Sequence, residues 1–224
     1  MTLPEALRAR LAPLADPARA RAQQAYLKTE APMLGVPRPA VRDAVRGLLR
    51  ERGVGDRDAW AEAVAALWAG PERELRAAAV DWARGRRGEH LDAEALPMLE
   101  AMIREGAWWD LVDDLATHPV ATVLHRAPAL RGPVLRRWAA DADVWVRRAA
   151  LIAQLPHGAD TDEALLFELC AQQAGDPSFW IRKGIGWALR QHAGVAPDAV
   201  RGFLAAQGEA LSPLSRKEAE KHLR

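Results

Sequence analysis

An aliphatic residue, an arginine, any residue and then a small one recur along this chain at a spacing of about 35 residues. The copies are Val41-Arg42-Asp43-Ala44, Leu75-Arg76-Ala77-Ala78, Val146-Arg147-Arg148-Ala149 and Ile181-Arg182-Lys183-Gly184. A fixed period of this length is the mark of stacked helix pairs, none of which can bury its apolar face alone. Midway between the second and third copies the rule breaks. There the chain reads Trp108-Trp109-Asp110-Leu111-Val112-Asp113-Asp114, with Val112 where an arginine is due and acids around it. A repeat that departs from its own pattern is expected to do so at a functional position.

Helix signals fill the remainder. Thr2 with Glu5, and Ser215 with Glu218, read as capping boxes. Asp16 before Pro17 reads as an N-cap followed by proline at the first helical position. Gly70-Pro71, His118-Pro119, Gly132-Pro133, Asp176-Pro177 and Ser212-Pro213 read as breaks. Between them the pattern predicts helices near 3–13, 17–29, 38–51, 57–69, 71–85, 93–105, 108–117, 120–128, 132–140, 144–155, 161–173, 178–192, 197–206 and 213–223. No low-complexity segment or long linker intervenes, so residues 1–224 read as a single repeat domain.

Composition agrees with this architecture. Half of the residues are hydrophobic, and Ala, Leu, Arg and Glu, all good helix formers, dominate. The expected fold class is all-α: an α-solenoid of stacked helix pairs whose second helices line a concave groove. No apolar run is long enough to cross a bilayer, the N-terminus lacks the layout of a signal peptide, and the lone Cys170 permits no internal disulfide. These features suit a cytoplasmic protein, and Cys170, within Leu165-Leu166-Phe167-Glu168-Leu169-Cys170, reads as an inert core residue.

Charge and chemistry narrow the reading further. The formal net charge of +1 names no partner. The 27 arginines against 4 lysines offer many planar forks suited to phosphate, although a shared rise of Ala and Arg also occurs as plain compositional bias. The six histidines show no metal-ligand spacing, and there is no Gly-rich phosphate loop and no G-x-S-x-G turn. No metal and no cofactor are therefore expected. Of nine tryptophans, Trp60, Trp68, Trp82 and Trp138 read as core fillers.

Aligning the repeats places Asp43, Ala77, Asp113, Arg148 and Lys183 at one equivalent position. In a regular stack that position faces one way, so Asp113, Arg148 and Lys183 are expected in a row along the groove. Trp109, four residues before Asp113, and Trp187, four after Lys183, share those helix faces. The preceding arginines, Arg42, Arg76, Arg147 and Arg182, read as ties between repeats. Taken singly, Asp113 reads as a solvated acid or the internal partner of an arginine, and the two tryptophans as core. Together they suit a phosphate backbone, through the cations, and a sugar, base or cation, through the flat rings. A peptide-binding groove fits the same layout.

These residues carry a resemblance. The chain resembles the DNA alkylation repair family of HEAT-like repeat proteins, the AlkD-type alkylpurine DNA glycosylases. The likeness rests on Tyr26-x-Lys28, Gly35-Val36-x-x-Pro39-x-x-Arg42, Trp108-Trp109-Asp110-x-Val112-Asp113, Trp145-Val146-Arg147-Arg148-Ala149 and Phe179-Trp180-Ile181-Arg182-Lys183-Gly184-Ile185-Gly186-Trp187-Ala188-Leu189-Arg190. It implies a basic groove that binds double-stranded DNA, and removal of positively charged alkylated purines from the duplex without base flipping. It implies Asp113 as the catalytic carboxylate, Trp109 and Trp187 against the lesion's deoxyribose, Arg148 on a backbone phosphate and Tyr26 as a groove aromatic. Lys183 as a further phosphate contact follows from the repeat register. Pro37 stands where the family can carry a polar groove residue, so opposite-strand contacts are expected to differ. The whole is read as a monomer. The rival reading is a non-catalytic helical-repeat module that binds DNA or a protein.

Overall fold

The computed structural model describes residues 1–223, and among them there is helix, turn and loop but no strand. Among the described residues fourteen α-helices follow one another in a repeat-like arrangement. They fall into two compact units, Met1–Leu91 and the chain from Asp92 onward. Among the described residues no helix is long and apolar enough to cross a membrane.

The first unit holds α1 (Leu3–Leu11), α2 (Pro17–Leu27), α3 (Arg38–Arg52), α4 (Arg57–Trp68) and α5 (Arg73–Ala83). The two N-terminal start signals form as expected. The Thr2 hydroxyl accepts from the Glu5 amide while the Glu5 carboxylate accepts from the Thr2 amide. Asp16 accepts from the amides of Ala18 and Arg19 ahead of α2. Each cap satisfies donors that the first turn leaves bare and contributes about 1 kcal/mol. The long connection into α3 is tied down by one buried carboxylate: Glu74 accepts from the backbone amides of Leu34, Gly35 and Val36. Gly35 sits at φ +76°, and a Cβ there would lie 2.1 Å from the Asp16 carbonyl oxygen, so the site admits only glycine.

The second unit holds α6 (Leu96–Gly106), α7 (Trp109–Leu115), α8 (Ala121–Arg126), α9 (Pro128–Ala139), α10 (Val144–Ile152), α11 (Glu163–Gln172), α12 (Phe179–Ala193), α13 (Pro197–Gln207) and α14 (Pro213–Ala219). The inner helices α7, α10, α12 and α14 pack in succession: α10 against both α7 and α12, and α12 against α14. Trp60, Trp68, Trp82 and Trp138 are all buried core rings. At about 25 cal/mol per Å², each such ring contributes roughly 4–6 kcal/mol of burial. Cys170 is fully buried, and burial pushes its thiol up to about 12.

Three sequence expectations change. His118-Pro119 does not break the chain: residues 116–120 form a single π turn joining α7 to α8. Pro119 has no N–H for the Leu115 carbonyl, and the widened turn lets the Ala121 amide reach the Ala116 carbonyl instead. Gly132-Pro133 likewise lies inside α9, which begins at Pro128. Ser215 is no N-cap. It is fully buried within α14, whose cap is Ser212, and its hydroxyl donates to the Arg182 carbonyl of α12.

Candidate active site

The site grows from the interrupted repeat. Helix α6 ends with Ala107 at φ +36°, a left-handed conformation rare for a residue with a Cβ. The chain then extends through Trp108 and turns into α7 at Trp109. About one turn later stands Asp113, three residues ahead of the π turn that begins at Ala116. Thr117 Oγ donates to the Asp113 carbonyl at 2.6 Å, and His118 Nδ1 lies 2.9 Å from a carboxylate oxygen of Asp114. These local bonds hold the turn beneath the acid. A π turn next to a functional position is a recurrent arrangement.

Asp113 is gripped from the next repeat. Arg148 Nε donates to one carboxylate oxygen at 2.7 Å and Nη2 to the other at 2.8 Å, a bidentate fork spanning 35 positions. Arg148 Nη1 donates to the Trp180 carbonyl at 2.7 Å, one repeat further on. The guanidinium carbon also lies 5.8 Å from the centre of the Trp180 ring. Gly184 packs close by, where a Cβ would lie 3.5 Å from Arg148 Nη1, an ordinary van der Waals contact. The arginine side chain is 6 % exposed and the aspartate 16 %, so the cation is the inner partner and the acid the outer one. Burial pushes Asp113 above its ordinary value, while the hydrogen bonds and charge of Arg148 pull the other way.

Trp180, against Arg148, belongs to a cluster of three further tryptophans. Trp108, Trp145 and Trp180, one from each of three successive repeats, sit with ring centres 5.2 to 5.5 Å apart, and Phe179 meets Trp180 edge-on. Sequence reading attached no role to this trio. The available signal was a tryptophan two places before the repeat arginine at both Trp145 and Trp180.

The other candidates distribute as follows. Trp109 and Trp187 are each partly exposed, on α7 and α12, both in the second unit with Asp113. Lys183 is partly exposed and donates at 2.6 Å to Glu218, again 35 positions on. Tyr26 lies in the first unit, on the last turn of α2, and is 73 % exposed. Arg148, expected on a backbone phosphate, is buried, and three of its five N–H groups are bonded to Asp113 and Trp180. Of the repeat arginines, Arg42 (3.8 Å from Asp81) and Arg147 (to Asp176) tie neighbouring repeats, whereas Arg182 bonds within its own repeat and Arg76 lies over the Trp68 ring. Arg147 donates to the Asp141 and Ala142 carbonyls and to Asp176, and Arg182 donates to the Asp176 carbonyl.

Comparison with known proteins bears on this geometry. The family model for DNA alkylation repair enzymes matches residues 7–223. A solved structure described as a predicted DNA alkylation repair enzyme from Enterococcus faecalis is similar at 26 % identity, with a TM-score of 0.85 over 93 % of this chain and 96 % of that one. The structure of smu.31 from Streptococcus mutans UA159 shares the fold at 16 % identity, with a TM-score of 0.63 over 92 % of this chain and 98 % of the other. No match is found among curated proteins. The match over almost the whole chain, on a helical repeat whose interrupted copy presents a carboxylate, makes this protein a member of the DNA alkylation repair enzyme family.

Proposed function

We propose that this member of a DNA repair family is a monofunctional glycosylase that hydrolyses the N-glycosidic bond of cationic alkylpurines, 7-alkylguanine and 3-alkyladenine, in duplex DNA. The observation that carries the reading is the Asp113–Arg148 pair, in which the carboxylate is the more exposed partner. Trp109, four residues before Asp113 on α7, and Trp187 on α12 are partly exposed.

Alkylation at N3 or N7 puts a positive charge on the purine, so the base departs neutral with the electron pair of the C1′–N bond. No acid is needed to protonate it. The species that needs stabilising is the oxocarbenium-like sugar, and a fixed carboxylate supplies opposite charge without reorganising. The Arg148 fork fixes the plane of the Asp113 carboxylate and favours its ionised form. Each oxygen retains a lone pair for a water that adds at C1′ and gives up its proton. The π faces of Trp109 and Trp187 attract the same cation. Arg148 is then a positioning residue and not a DNA contact. Tyr26 and Lys183 are proposed contacts to the strand. Because the chemistry takes place at the sugar, the base need not leave the stack, and selectivity follows the lability of the charged base.

The test is release from duplex DNA of 3-methyladenine and 7-methylguanine against hypoxanthine and 1,N6-ethenoadenine. Release of the two cationic bases alone supports the reading. Efficient hypoxanthine release contradicts it, and no release of any base leaves a DNA-binding repeat module.

A further inference from the structure

The 35-residue register that pairs Asp113 with Arg148 pairs Lys183 with Glu218 two periods further on. Glu218 is the hub of a larger cluster. Its Oε2 accepts from Lys183 Nζ at 2.6 Å and from Lys221 Nζ at 2.9 Å, and its Oε1 accepts from Arg190 Nη1. Burial alone would raise this carboxyl, but the bonds from Lys183 and Lys221 and the charge of Arg190 hold it at about 2.

The layering is acid inside, cations outside. The Glu218 side chain is 6 % exposed, against 36 % for Lys183, 25 % for Arg190 and 51 % for Lys221. Three cations around one carboxylate leave a surplus of two positive charges. Each cation spends one N–H on Glu218 in this cluster and keeps others for an incoming acceptor. The platform beneath is rigid. A Cβ on Gly186 would lie 2.5 Å from Glu218 Cβ and 2.8 Å from the Ser215 carbonyl oxygen, so α14 is seated directly on α12. Trp187 lies four residues after Lys183 and three before Arg190, on the same helical face.

We propose that Lys183, Arg190 and Lys221, preset around Glu218, form a binding site for a phosphodiester of the DNA strand next to Trp187. The site deepens the reading of the protein as a DNA glycosylase and rests on it for the identity of the strand. A backbone phosphodiester offers one negative charge shared over two non-bridging oxygens, which offsets one of the two surplus charges and gives acceptors to the free N–H groups. Glu218 orders the cations and also competes with the phosphate for them.

The test is the affinity of the full chain for undamaged duplex DNA, by fluorescence anisotropy across a salt series. Arg190→Gln and Lys221→Gln should each weaken binding and lower the slope of log affinity against log salt, and the double variant should lower it by about 0.9, the value for one phosphate neutralised. Glu218→Gln, compared at equal folded fraction, should bind more tightly, because the competing charge is gone. Arg136→Gln, which removes an exposed arginine of α9, is the control for bulk charge. Slopes that stay at the wild-type value, or that fall equally in Arg136→Gln, overturn the site. Weaker or unchanged binding in Glu218→Gln overturns the preset role of that residue. Base release from alkylated duplex by the same preparations separates the two readings. Its absence in the wild type removes the glycosylase and leaves the slopes to judge the site, while release with unaltered slopes removes the site alone.

Discussion

Both units of this protein contain a forked arginine–aspartate pair between neighbouring repeats, and the two run in opposite directions. In the first unit Asp81 is the inner partner, 9 % exposed, with Arg38 outside it at 29 % and Arg42 at 3.8 Å. In the second unit Arg148 is inside and Asp113 outside. The same interaction, built from the same two residue types, thus turns a cation outward in one place and an anion outward in the other. Fold support is equal in kind. What differs is the charge offered to a ligand: a cation edge suits phosphate, whereas an anion edge suits a developing sugar cation. The Glu218 cluster returns to the first arrangement, which makes the Asp113 pair stand out against repeats on either side.

The largest effect expected outside Asp113 itself comes from removing the inner partner. Arg148→Met leaves a mostly buried carboxylate unpaired, which costs about 3 kcal/mol of stability. The urea midpoint should fall accordingly, and base release should fall even for the folded fraction. Stability lost with the rate intact would mean that Arg148 is only a structural tie.

The matching change in the first unit sharpens the contrast. Arg38→Gln removes the outer partner and leaves Asp81 close to Arg42, so a smaller loss of about 1–2 kcal/mol is expected. The single-turnover rate should be unaffected. A rate loss as large as that of Arg148→Met would show that the two pairs are not functionally distinct.

Titration gives a third, finer discriminator. Burial places Asp113 above its ordinary value, and the form proposed to act is the carboxylate. Release should therefore rise with pH through a midpoint above the usual aspartate range and then level off. Arg148→Met, which removes the opposing charge, should move that midpoint upward. A flat profile would detach the rate from Asp113.

The smallest effect concerns an acid with no proposed role in the chemistry. Glu100 accepts from Arg137, Arg104 and Trp138 Nε1, and the Arg137 bond leads in holding it at about 2, below the ordinary 4.5. A depressed value stabilises the fold above 4.5, and that contribution is lost as the pH falls towards 2. Glu100→Gln should lower the melting temperature at neutral pH, lower it less in acid, and leave base release unchanged.

Much of this contrast was legible in the chain. Period and capping residues located the helices; the broken repeat singled out Asp113 and Trp109 as candidates, and helical spacing from Lys183 singled out Trp187. Burial order was not legible. Register says that Arg148 and Lys183 point along one row, but only packing against Trp180 and Gly184 sinks one guanidinium while the lysine stays at the surface. Glu218 lay one period beyond the last copy and read as a cap partner, because Ser215 three residues earlier mimics a capping box. Pro119 and Pro133 read as breaks since a proline's missing N–H is visible in sequence, whereas the π turn that absorbs the first is not.

The account turns on Asp113, and the measurement that tests it most directly is base release from duplex DNA carrying a single 7-methylguanine, by wild type and by Asp113→Asn. Asparagine keeps the size and one acceptor for Arg148 but removes the charge. The expected result is abasic sites from the wild type and a rate lower by about 10²–10³-fold in the variant, with duplex affinity retained. Equal rates in the two proteins would contradict it.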